Sequence, residues 1–200
     1  MIFLKKNIDE SCNIIISKYE KIDIFIHCAA LVTATNLKGW NCKFEEQSIE
    51  SLDLCLDINT KSSIIFIQNL INLFKKSEFP KIILISSIYG YLGNDFSLYE
   101  DTNMFSPIAY SISISSINII VKYLASLYGS NNLCINSILL GGIFRNQNEK
   151  FVKKYIEKVP LNRMGNENDI KGLISYLSSN LSNYMTGQNI ILDGGLTSKI

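Results

Sequence analysis

Apolar positions at Ile8, Cys12, Ile15, Ile16 and Tyr19 recur three and four apart, a spacing that predicts a first helix with Asn7 or Asp9 at its start. The β-branched and aromatic run Ile22-Asp23-Ile24-Phe25-Ile26 predicts a buried strand. A loop with Gly39 and Trp40 follows, then a helical stretch through Leu52–Leu56 that leads into a long amphipathic helix near Asn59–Phe74. Ile82–Ile85, set between Pro80 and Ser86-Ser87, predicts a second strand. After a polar stretch from Tyr91 to Ser106, Ser106-Pro107 opens a helix as N-cap and first residue, with Gly129 placed to end it in the left-handed conformation. Cys134–Leu139 reads as a strand running into Gly141-Gly142, Asn148–Lys158 and Glu167–Leu177 as helices, and Asn189–Leu192 as a last strand. Strands written as near-continuous apolar runs and separated by helices predict one α/β domain, a parallel sheet covered on both faces. No internal repeat, linker or low-complexity segment divides it.

Composition narrows the function classes. The 200 residues and 47% hydrophobic content suffice for a sizeable core. A net charge of +1, with basic residues clustered no further than pairs such as Lys5-Lys6, gives no field to draw nucleic acid or an anionic membrane. Five cysteines without a C-x-x-C pair, and the single His27, point to reduced thiols and no metal site. No run is expected to approach the roughly 18 apolar residues of a membrane span. The start Met1-Ile2-Phe3-Leu4-Lys5-Lys6 does not read as a signal peptide, so a cytoplasmic protein is expected.

Ligands of open α/β sheets bind beyond the carboxyl ends of the strands. There the chain places His27-Cys28-Ala29-Ala30, Ser86-Ser87 and Gly141-Gly142, with Asn59 and Tyr110 a step into the following helices. Each has a plain structural reading as well. Tyr110 also reads as a half-buried core tyrosine, though its place after Ser106-Pro107 and Ser87 favours the site; Ser86-Ser87 reads evenly as a strand-end cap, Asn59 also as a helix-start residue, and His27 rather as a hydrogen-bonded structural group.

Ser87 after an apolar strand, Tyr110 near a helix start, Asn59 in Asp57-Ile58-Asn59, the Pro160–Met164 run, Asp169-Ile170 and Thr186-Gly187-Gln188…Asp193-Gly194-Gly195 stand in one order. Together they resemble the short-chain dehydrogenase/reductase family from about Ile8 to the end of the chain. The resemblance implies a doubly wound, Rossmann-like sheet and an NAD- or NADP-dependent oxidoreductase. It also implies roles: Tyr110 exchanges a proton with the substrate oxygen, Ser87 hydrogen-bonds that oxygen and Asn59 holds a relay water. Cys28, Ala29, Ala30, Gly141, Gly142 and Ile143 correspond to the family's cofactor-binding segments. Homo-oligomerisation through the helices at Asn59–Phe74 and Pro107–Gly129 is implied in the same way.

The chain departs from the pattern at informative places. In the family's Y-x-x-x-K a lysine one turn beyond the tyrosine lowers its pKa and holds the cofactor ribose. Here that residue is Ile114, and Lys122, about 18 Å along the helix, cannot replace it. The family's Asn-Asn-Ala-Gly is His27-Cys28-Ala29-Ala30, and its Pro-Gly is Leu140-Gly141. None of the 200 residues forms the G-x-x-x-G-x-G turn that cradles the pyrophosphate, so a fold lacking the family's first three strands is expected. The resulting expectation is impaired catalysis, with an inactive remnant or a non-redox sugar-binding protein as alternatives, and an uncovered apolar edge at Ile22–Ile26. Twenty-two residues separate Ser87 from Tyr110, a longer stretch than in many members. With Gly141-Gly142-Ile143-Phe144 it resembles the flagellin-modification or sugar-type branch, which implies a sugar-like small-molecule substrate. Tyr99 and Glu100 of the added loop would lie over the site.

Overall fold

Four strands, β1 (Ile24–His27), β2 (Lys81–Ser87), β3 (Cys134–Leu140) and β4 (Asn189–Leu192), form one sheet in the order β1-β2-β3-β4 with every pair parallel. The computed structural model describes residues 2–32 and 37–199. Six α-helices join and flank the strands: α1 (Ile2–Lys18), α2 (Ile49–Cys55), α3 (Ser62–Phe74), α4 (Ile108–Tyr128), α5 (Glu149–Lys158) and α6 (Glu167–Leu177).

Alternation along the strands sorts the core into two layers. Ile82, Leu84 and Ile135 point to one face, where α1, α3 and α4 cover them through Ile8, Cys12, Leu70, Phe74, Ile117 and Val121. Ile83 and Ile138 point to the other face, under Leu177 of α6. This is the doubly wound parallel sheet that the apolar strand runs predict. Asn136 and Ser137 are the polar exceptions in β3, and the Ser137 hydroxyl donates to Asn189 Oδ1 at 2.6 Å across the strand pair.

Several local expectations are corrected. α1 starts at Ile2, well before the Asn7 and Asp9 caps, and Met1 lies outside the described residues. α4 starts one residue later than the Ser106-Pro107 signal, with Pro107 as its N-cap. Gly129 has an ordinary φ of −57°; the left-handed residue is Asn132, which ends the 3-10 turn that follows. The α2–α3 junction, Leu56–Lys61, is a π-helical turn, a widening that aperiodic apolar positions do not reveal. The segment Ile108–Asn131 is long and apolar enough to cross a membrane by length and composition, contrary to the sequence expectation. One face of it packs into the core, with Ala109, Ser113, Ile114, Ile117 and Val121 buried.

Candidate active site

The carboxyl end of β2 meets the start of α4. Ser87 is the last residue of β2 and is buried; its Oγ accepts from Tyr89 N–H at 3.2 Å, capping the 3-10 turn Ile88–Gly90. The same side chain lies beside the phenol of Tyr110. Tyr110 lies in the first turn of α4, where its N–H donates to Pro107 O at 3.1 Å, and its ring packs against Trp40, Cys55 and Ala109. Burial pushes the phenol above its ordinary pKa; the neighbouring Ser87 side chain opposes this, and Cys55 and Tyr99 add to it.

Asn59 sits in the π-helical turn, buried, rather than at a helix start. Its Oδ1 accepts from Leu31 N–H at 2.6 Å, and its Nδ2 donates to Ser113 Oγ at 2.9 Å and to Leu31 O at 3.3 Å. Ser113 in turn donates to Tyr110 O at 2.9 Å. The Asn59 amide thereby ties the segment leaving β1 to the helix turn that carries Tyr110. Thr60 Oγ1 reinforces the joint by donating to Ser113 O at 2.9 Å.

Ile114 is 2% exposed on the face of α4 that meets the Ile88–Gly90 turn. A Cβ on Gly90 would come within 2.9 Å of Ile114 Cγ2, so the glycine is what lets this turn sit against the isoleucine. His27 is buried and bonded through Nε2 to Ser62 Oγ at 2.8 Å; burial lowers its pKa and favours the neutral ring. Cys28, Ala29 and Ala30 lie exposed beyond it.

Beyond β3, the N–H of Gly142 donates to Tyr155 Oη at 2.5 Å. A Cβ at Gly142 would strike the Tyr155 ring at 2.7 Å, and one at Gly141 would strike Asp193 at 2.8 Å. Internal packing therefore accounts for both glycines. Ile143 bridges to Gly165.

The added loop is fastened on three sides. Lys158 of α5 pairs with Asp95 and donates to Ser97 Oγ at 3.0 Å; Lys154 donates to Ser97 O and Glu100 O. Asn41 accepts from Phe105 N–H at 2.6 Å, and Asn94 bridges Ser106 and Ser111. Tyr99 is 7% exposed, its hydroxyl bonded to that of Tyr89 at 3.0 Å and its ring against Phe151. Glu100 is exposed and lies 3.7 Å from Lys154. The site thus includes Tyr89 and Tyr155, which the sequence reading did not single out. The only signal for Tyr155 was the Phe151–Tyr155 pair on one face of α5.

The family model described as "Enoyl-(Acyl carrier protein) reductase" matches residues 4–197. The chain belongs to the short-chain dehydrogenase/reductase family. It is 32% identical over 179 residues to the post-translational flagellin modification protein A of Campylobacter coli, covering 89% of this chain and 68% of that protein. It is 27% identical to a 3-oxoacyl-[acyl-carrier-protein] reductase of Rickettsia felis, over 94% of this chain and 72% of the other. A short-chain dehydrogenase of Leptospira borgpetersenii, solved with bound NAD+, superposes with a TM-score of 0.85 at 32% identity, over 96% of this chain and 72% of that one.

For a nicotinamide dinucleotide the residues present fit in part. The side chains of Cys28, Ala29 and Ala30 beyond β1 are small and exposed. The cation expected one turn beyond the tyrosine is the apolar Ile114, and no described residue supplies a glycine-rich phosphate turn. The full cofactor does not fit this set of residues.

Proposed function

We propose that this chain is a short-chain-type oxidoreductase domain for a sugar or sugar derivative, serving flagellin modification or related surface-glycan synthesis in the cytoplasm, with impaired hydride chemistry. The juxtaposition of the Ser87 and Tyr110 side chains at the end of β2 carries the reading, because two hydroxyls side by side can hold one substrate oxygen. The Campylobacter coli relative, named for flagellin modification, supports the sugar assignment. The relative bound to NAD+ supports a nicotinamide cofactor, whose chemistry is hydride transfer. Ser87 and Tyr110 position the substrate oxygen, and Asn59 with Ser113 holds the helix turn that carries the phenol. The apolar side chains Ile108, Ile112, Ile119, Tyr123 and Leu127, exposed along α4, support a homo-oligomer through that helix.

NADH and NADPH fluorescence titrations test the reading directly. Weak binding with slow reduction of a keto-sugar nucleotide, abolished in Tyr110→Phe, is the expected result. Ile114 favours a second reading, a protein without redox activity. Absence of any cofactor affinity, together with binding of a sugar nucleotide alone, would establish that reading instead.

A further inference from the structure

The chain leaving β1 is held to the α2–α3 junction at two points. At the first, His27, the last residue of β1, lies 2.8 Å through Nε2 from Ser62 Oγ. At the second, the N–H of Leu31 donates to Asn59 Oδ1 at 2.6 Å. Cys28, Ala29 and Ala30 lie exposed between the two. Ser62 decides where the proton sits on the ring. Its N–H passes over the α-helical acceptor and donates to Asp57 O, five residues back, as a π turn requires. The α-helical acceptor, Ile58 O, takes the Ser62 hydroxyl proton instead, at 2.5 Å. A serine hydroxyl has one proton to give, so toward His27 the Ser62 oxygen accepts and Nε2 donates. Nδ1 is then the unprotonated nitrogen.

We propose that His27 is a positioning residue: as the neutral Nε2–H tautomer it holds the π turn through Ser62, keeps Asn59 in register with Leu31, and lets go when protonated. The latch reaches the site because the Asn59 amide also donates to Ser113 Oγ, which donates to Tyr110 O. The surroundings of the ring make it sensitive to a second proton. It is 5% exposed, with Phe25 on its own strand, Leu84 paired with it on β2, Ser62 on α3 and the Cys28 thiol next along the chain. On the π turn, Asp57 and Lys61 are joined to each other. Burial alone lowers the pKa of the ring, with no charge contributing, so an imidazolium here is an uncompensated buried cation. The enclosed ring takes that proton less readily than a released one, so release gains ground as pH falls below about 6.5. The purpose of the latch rests on the reading of Tyr110 as the site's phenol, but the latch itself shows in the ring tautomer and in amide exchange, which lost turnover would not alter.

His27 is the single histidine of the sequence, so imidazole nitrogen NMR of the 200-residue chain reads it without overlap. The expected result is the Nε2–H tautomer at neutral pH, titrating below 6.5. The protection factor of the Leu31 amide, in which the intrinsic pH dependence of exchange is already removed, should fall at least about tenfold with the same midpoint. His27→Gln carries an amide N–H donor that does not titrate; it should keep the neutral-pH protection of Leu31 and lose its pH dependence. His27→Phe should lose about tenfold in protection at neutral pH, since it has no donor for Ser62. Four results would overturn the proposal, two of them in the parent alone. These two are an Nδ1–H tautomer, and Leu31 protection that stays constant while His27 titrates. The others are a pH dependence that persists in His27→Gln, and full neutral-pH protection in His27→Phe.

Discussion

Ile114 stands one helical turn beyond Tyr110, and its buried side chain leaves the phenol without the cation that the family's pattern places there. Burial is then the largest influence on Tyr110, and its pKa lies above the ordinary tyrosine value of 10.0. A group whose pKa is raised on folding favours the folded state below its unfolded pKa, and that contribution disappears as pH climbs toward the folded value. Tyr89, Tyr99 and Tyr155 are raised too, so absorbance titration should show one fewer phenol ionising above pH 10 in Tyr110→Phe than in the parent. Ile114→Lys should lower that ionisation and cost about 1–3 kcal/mol in urea unfolding, since it sets a cation in a packed apolar site. The variant should turn over NADH no faster than the parent, because no glycine-rich phosphate turn lies among these 200 residues. An unchanged tyrosine titration in Ile114→Lys would contradict this account.

Asn59 fixes the joint between the β1 exit and α4, so its removal should be felt as stability. Asn59→Ala strips the acceptor from Leu31 N–H and the donor from Ser113 Oγ, for an expected loss of about 1–3 kcal/mol. Asn59→Asp should be no better at neutral pH, because its second oxygen would face Leu31 O, which now accepts from Nδ2. Urea denaturation of the two variants checks this; full stability in Asn59→Asp would show that the amide is not the tie.

Lys158 and Asp95 are each about two-fifths exposed, so solvent screens their attraction. Asp95→Asn should change global stability by less than about 1 kcal/mol. The local effect should be larger, because the pair and the Lys158–Ser97 bond fasten one side of the added loop to α5. Limited proteolysis should cut between residues 91 and 103 several-fold faster in Asp95→Asn and in Lys158→Ala. Equal cleavage of variant and parent would mean that Asn41, Asn94 and the Tyr99–Phe151 contact hold the loop unaided.

The sheet was legible because burial on both faces writes itself into sequence as unbroken apolar runs, as in Ile82–Ile85. The π-helical turn at Leu56–Lys61 was not, since one added residue per turn shifts the apolar period without a residue type to mark it. Ser87 and Tyr110 could be placed in advance because strand ends and helix starts carry polar signals. The burial of Tyr99 could not, because it depends on Phe105, Phe151 and Tyr89, which only the folded loop brings together. Gly141 and Gly142 were visible as a pair, yet the Tyr155 ring that requires the second lies thirteen residues on, in α5.

Asp169 gives the molecule an acid limb that can be assigned to one carboxyl. The Arg163 guanidinium grips it through two bonds of 2.7 Å, and the Asn166 N–H donates to it at 2.8 Å, closing the capping box of α6. Arg163 is the larger influence and the Asn166 N–H the next; together they bring the carboxyl from 3.8 to about 2. A carboxyl whose pKa is depressed on folding contributes stability above its unfolded value, and that contribution is lost as pH falls through the folded one. Melting temperature should therefore fall between about pH 4 and pH 2 more steeply in the parent than in Asp169→Asn. Arg163→Gln should return the carboxyl toward 3.8, which carboxyl-detected NMR titration reads directly. Matching acid limbs in parent and Asp169→Asn would show that the pair does not link this helix start to pH.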